Sequence, residues 1–216
     1  MSQYRSLGKV YIGFEFIYRL VYLNLLWISF SLFGGILFGI GPSTLALYHV
    51  NRKWLRKELG TDRDIFKHYF TAYKRHFITG NLMGLSLIVL FFIFLVNYRY
   101  ASARSEVVFQ FIQVATVVLS FLAVIILTYL FPLYVHYQLP LKAYYLKSWI
   151  VALAHPIPTA LNLVWLVLIG YLTYRLFPFS LLLTMSSLAY GIMGISYSCF
   201  IRNDQMVLDK DVESVS

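Results

Sequence analysis

Five stretches of this 216-residue chain hold no Asp, Glu, Lys or Arg: 20–51, 76–98, 107–141, 148–174 and 176–201. Crossing the hydrocarbon core of a bilayer takes about 20 apolar residues in a helix, and each stretch is longer than that. A backbone surrounded by lipid must pair its own N–H and C=O groups, which restricts apolar runs of this length to helices. The chain is 60% hydrophobic and 12% charged, against roughly 25% charged in ordinary globular chains. That composition leaves no way to hide the apolar surface from water, and it excludes a soluble domain. The expected architecture is all-α: a polytopic membrane helix bundle with about five spans, forming one domain over 1–216. The spans are expected near 20–40, 79–96, 108–131, 150–174 and 178–201. The fourth begins close to Pro156 and Pro158, Pro178 opens the fifth, and a loose polar tail follows it.

The first run is awkward. Its 32 residues would make a helix of about 48 Å, too long for one upright span and too short for two with a turn. Gly34, Gly35, Gly39, Gly41 and Pro42 interrupt it. One span to about residue 40 is expected, with a change of helix direction at Gly41-Pro42, because proline is tolerated in a helix's first turn.

Residues 42–78 form the one long polar interruption, expected to be a cytoplasmic helical loop. It carries Arg52, Lys53, Arg56, Lys57, Arg63, Lys67, Lys74 and Arg75, eight of the chain's 18 basic residues. The acids at Asp62 and Asp64 suit a helix start, where the dipole favours negative charge. From there Phe66, Phe70, Tyr73 and Phe77 recur at helical spacing, with Lys67, Lys74 and Arg75 elsewhere. This is a basic amphipathic helix. Its expected neighbours are anionic lipid headgroups, or a docked partner. The helix that opens at Pro42 is expected to leave the membrane obliquely and lie on its surface.

The net charge of +9 sits beside apolar spans, so it points to lipid and membrane sidedness and not to nucleic acid. With five spans and the N-terminus outside, twelve basic residues fall in the cytoplasm and six outside. The C-terminus is then cytoplasmic. If 42–55 re-enters the membrane, or forms a sixth segment, the N-terminus lies inside instead. Glu15 and Arg19 stand four apart in an interfacial lead-in to the first span.

The single cysteine, Cys199, excludes an internal disulfide or a Cys-based metal centre and reads as a packing residue. No catalytic carboxylate pair, nucleotide-binding loop or metal motif is present. The chain is therefore read as non-enzymatic, with no cofactor and no metal. Asn24, Asn81 and Asn162 lie in or near spans and read as interhelical hydrogen-bonding groups. His155, in His-Pro-Ile-Pro, reads as a kinked start to a span. A weak internal similarity relates the segment from Phe70 to that from Leu146: a basic-aromatic helix running into a span in each case.

Asn24-Leu25-Leu26-Trp27 in the first span, then Gly41, Pro42, Ala46, Leu47 and Tyr48, then Phe70, Tyr73, Lys74, His76 and Phe77, together resemble the YesL-like family of bacterial membrane proteins. Tyr73 and His76 stand where that family usually has Phe and Asn. Members often accompany genes for carbohydrate ABC transporters. The resemblance implies a plasma-membrane protein acting as an accessory or assembly component of carbohydrate uptake. The other reading is a small-solute transporter or channel in its own right. A continuous polar path through the three asparagines would favour the transporter, and a dry packed bundle the accessory role.

Overall fold

The computed structural model describes the backbone of residues 2–215 and the side chains of residues 13–205. Those residues form eight α-helices and no strand: α1 (Ser2–Phe33), α2 (Ile40–Leu55), α3 (Asp62–Arg75), α4 (Phe77–Ser102), α5 (Val107–His136), α6 (Leu141–Ala154), α7 (Pro156–Arg175) and α8 (Thr184–Val215). Four segments are long and apolar enough to cross a membrane: Gly13–Phe33, Phe77–Ser102, Val107–His136 and Pro156–Arg175. Exposed side chains confirm the class. Phe91, Phe111 and Val167 are 67%, 72% and 67% accessible, an outward apolar surface suited to lipid and not to water.

The bundle is three antiparallel hairpins, α1/α2, α4/α5 and α7/α8, whose open ends meet at one pole. There Phe16 and Arg19 of α1 lie against Trp54 of α2, and Arg52 of α2 bonds the Val135 carbonyl of α5. His136 of α5 meets Asp204 of α8, and His155, at the head of α7, meets Asn203. The closed ends of the hairpins lie at the far pole.

The first reversal comes at 34–39, slightly before the expected break. Gly35 and Ile36 both have positive φ. The Ile36 N–H reaches back to the Ser31 carbonyl and the Gly35 N–H to that of Leu32. This pairing satisfies the last carbonyls of α1 and turns the chain sharply. Gly41 and Pro42 fall inside the first turn of α2, where a missing N–H has no partner to lose. The same motif closes α2, with Lys57 at positive φ and Glu58 N–H bonded to the Lys53 carbonyl.

α2 does not lie on a surface. It is the centre of the bundle, touching α1, α3, α4, α5 and α8, with Leu45, Ala46, Leu47 and Val50 all buried. Small residues explain why. A Cβ on Gly41 would collide with the Gly80 carbonyl, and one on Gly80 would sit 2.6 Å from the Pro42 Cα. The backbones of α2 and α4 touch there, at the first glycine of a Gly80–Gly84 pair spaced as in close membrane-helix contacts.

Other boundaries shift for local reasons. α5 runs through Pro132 to His136, since a proline removes one helical bond and a buried helix can absorb that loss. The fourth span starts at Pro156, not 150, because residues up to Ala154 form the separate helix α6. α8 begins at Thr184, after a short 3₁₀ turn at Phe179–Leu182, and runs on as helix to Val215, where a loose tail was expected.

The start of the bundle lies beside the basic loop, the arrangement expected if 42–55 re-enters the membrane. The Tyr18 hydroxyl donates to the Asp62 carboxylate at 2.8 Å, so the middle of α1 passes beside the α2–α3 connection. The Glu15–Arg19 pair forms as spaced, at 2.7 Å.

Candidate functional site

The open pole holds a polar cleft of about 660 Å³. α2 contributes His49 and Arg52, the α3–α4 junction Arg75, His76 and Thr79, and α5 with its following loop Tyr134 to Gln138. The start of α6 supplies Tyr144.

Each wall has a local cause. α3 is fixed by Asp64, whose carboxylate accepts from the Thr61 N–H (3.0 Å) and hydroxyl (2.9 Å). These bonds hold its carboxyl below the usual carboxylate range. The helix stops at Arg75, and His76 joins it to α4 with its Nδ1 2.9 Å from the Tyr134 hydroxyl. Burial, and then Arg75, push the His76 imidazole below its ordinary pKa. The Tyr137–Pro140 turn is pinned by Tyr144, whose hydroxyl donates to the Tyr137 carbonyl and accepts from the Leu139 N–H, both at 2.8 Å. Arg52 Nη1 donates to the Val135 carbonyl at 2.6 Å, a cation at the C-terminal end of α5 where the dipole favours it. Asp204 takes the Tyr137 hydroxyl on one oxygen (2.8 Å) and faces His136 Nε2 with the other (3.1 Å).

The basic and aromatic residues singled out in the sequence therefore do not form one surface. Phe66, Phe70 and Tyr73 turn towards Phe30 of α1, with ring centroids 5.0–6.1 Å away, and Phe77 packs edge-on against Tyr73. Lys67 and Lys74 are exposed, the latter over the Phe70 ring at 4.2 Å. Arg56 pairs with Glu58, Lys57 makes the turn, and Lys53 approaches His68. Of the set only Arg52 and Arg75 line the cleft.

The asparagines separate too. Asn24 caps α8 from across the bundle. Its Oδ1 accepts the N–H groups of Met185 (3.0 Å) and Ser186 (3.1 Å), and its Nδ2 donates to the Leu181 carbonyl. Asn162 donates to Ser196 at 3.3 Å. Asn81 lies beside the Gly41–Gly80 contact, its Oδ1 buried without a partner. His155 ends α6, starts α7 and reaches Asn203 at 3.1 Å. His76 and His155 thus occupy equivalent junctions, each a one-residue break between a short helix and a long hairpin. The weak internal similarity appears here as a repeated element order. The sequence does not join His49, His76 and His136 into one site, because only the fold brings them together. Nor does it single out Ser43, whose hydroxyl bonds the Trp27 carbonyl and the Tyr69 hydroxyl and so ties α1, α2 and α3. Cys199 is buried. Among the described residues no group of His, Cys, Asp or Glu is arranged to hold a metal.

These features define a membrane-type bundle of three hairpins around a short, small-residue helix, with a basic cleft at its open pole. The chain belongs to the family described as "Protein of unknown function, DUF624", which matches residues 20–98 and so includes the α1/α2 hairpin, α3 and most of α4. It is 38% identical to the uncharacterized protein YesV of Bacillus subtilis, over 77% of this chain and 79% of that one. It is 31% identical to YteU of the same organism, over 93% and 89%, and 33% identical to YesL over 41% of each. No solved structure matches it.

Proposed function

We propose that this chain is a non-enzymatic, multi-pass protein of the bacterial plasma membrane and an accessory or assembly component of carbohydrate uptake by an ABC-type importer. The observation carrying this reading is the dispersal of the intramembrane amides. Asn24 and Asn162 are each used at a different helix contact, Asn81 stands apart from both, and the three do not share a cavity. The inner cavity near α2, about 200 Å³, is bounded mainly by apolar groups such as Leu47, Phe131 and Leu166. Such a bundle suits a scaffold better than a solute path. Carbohydrate uptake enters through the family resemblance. With the open pole in the cytoplasm, both termini lie inside, and only Arg99, Arg104 and Arg175 of the 18 basic residues lie outside, a stronger asymmetry than twelve to six.

The test is affinity purification from native membranes in mild detergent. Importer subunits should co-purify, and Phe66→Ser with Phe70→Ser should release them while leaving membrane insertion intact. Sugar uptake by liposomes containing this protein alone would defeat the reading.

A further inference from the structure

We propose that the cleft at the open pole is a binding site for a phosphate group carried on a small organic moiety. This goes beyond the accessory role and does not rest on it. Two guanidinium groups reach the cleft from different elements, Arg52 from α2 and Arg75 from the end of α3, and the imidazoles of His49, His76 and His136 stand with them. No Asp or Glu lines the cleft. Among the described residues neither arginine has a carboxylate within 4.0 Å: the ion pairs present are Arg19–Glu15 and Arg56–Glu58, and Asp204 faces the His136 ring. Asp204 does not line the cleft: its oxygens are held by His136 and the Tyr137 hydroxyl, and it acts on Arg52 only through space.

A semi-enclosed group of like charges is costly unless something of opposite sign enters. The cleft also keeps an unused donor. The Arg52 Nε is buried and unpartnered, and such an atom marks a site unsatisfied by its own chain. His76 engages Tyr134 through Nδ1 alone, and Thr79 and Gln138 add neutral polar groups at the wall.

The charge and shape select the ligand. Guanidinium forks match phosphate oxygens, and the two of them carry the charge that a phosphate dianion needs. A volume of about 660 Å³ exceeds what a bare phosphate fills and lies within the usual range for small-molecule sites. The Tyr134, Tyr137 and Tyr144 side chains offer apolar surface for the attached moiety. A soluble phosphomonoester and a phospholipid headgroup present this same chemistry.

Glycerol phosphate distinguishes the sources. It is titrated into the full-length protein in uncharged detergent, with glycerol as control. Separately, the protein is placed in phosphatidylcholine nanodiscs with and without phosphatidylglycerol. Thermal stability is read in both arms. A soluble ligand predicts saturable stabilisation by glycerol phosphate. A lipid ligand predicts stabilisation by phosphatidylglycerol and none by the free compound. In whichever arm responds, Arg75→Gln should weaken binding roughly tenfold, the loss of one charge-assisted contact, and Lys67→Gln should not. Arg75 is exposed and makes no ion pair, so its replacement leaves the fold intact. Arg52→Gln should act likewise, but it also loses the Val135 bond. No response in either arm overturns the proposal, as does an equal loss with Lys67→Gln, which would mean unspecific surface charge.

Discussion

Replacing Gly80 by alanine should loosen the bundle at its centre. A Cβ there would stand 2.6 Å from both the Cα and N of Pro42 and 2.9 Å from the Gly41 carbonyl carbon. Non-bonded carbon atoms rest about 3.5–4.0 Å apart, so α2 and α4 must part by roughly 1 Å. The obstacle is backbone on both sides, and no side chain can swing away to make room. Overpacking a core by one methyl commonly costs about 1–3 kcal/mol. In a chain of this size that corresponds to a fall of roughly 2–4 °C in melting temperature per kcal/mol. Gly170→Ala is the internal control. Nothing lies within 4 Å of its added Cβ, and alanine favours a helix interior by about 1 kcal/mol, so that variant should match or exceed the parent. The assay is thermal unfolding of the two variants and the parent in one detergent. A Gly80→Ala protein as stable as the parent would refute the close crossing of α2 and α4.

Asn24→Leu should destabilise by about 1–3 kcal/mol in the same assay, because it strips the N–H groups of Met185 and Ser186 of their acceptor. Asn51→Leu should be neutral or stabilising, since Asn51 is fully buried with both amide atoms unpartnered and a leucine has no polar group to desolvate. Acid should weaken the fold through His76. Its folded pKa lies below the ordinary 6.5, so the unfolded chain takes up the proton first and stability falls as pH drops from about 6.5. The His76→Gln variant should show a shallower fall in a melting series across pH 7 to 5.

Much of this fold was legible in the residues. Charge-free runs located the long helices, Asp62 and Asp64 marked the start of α3, and the 20–51 run declared its own need for a break. The break itself moved because Gly35 and Ile36 take the positive φ that a Schellman turn demands, while Pro42 merely tolerates a first turn. α2 was misjudged for a different reason. Its polar end suggested a surface, but its burial depends on Gly41 meeting Gly80 and Gly84, a contact between distant segments. The cleft was less visible still. Arg52 and Arg75 drew notice as charges on a loop, yet their partners in the cleft come from the end of α5 and the turn after it, and nothing local in the sequence links them. Asn24 and Asn162 make interhelical hydrogen bonds as expected, whereas the Asn81 Oδ1 is buried without a partner. That Asn24 caps a helix 160 residues away could only come from the packing.

The arrangement of three hairpins opening at one pole stands or falls on the sidedness of three positions. Single cysteines are placed at Gly13, Gly60 and Ser102 in a Cys199→Ser background and labelled with a membrane-impermeant maleimide in intact cells and in inverted vesicles. The Tyr18–Asp62 bond predicts that Gly13→Cys and Gly60→Cys label together, in inverted vesicles, and that Ser102→Cys labels in intact cells. Labelling of Gly13→Cys together with Ser102→Cys, and apart from Gly60→Cys, would contradict it.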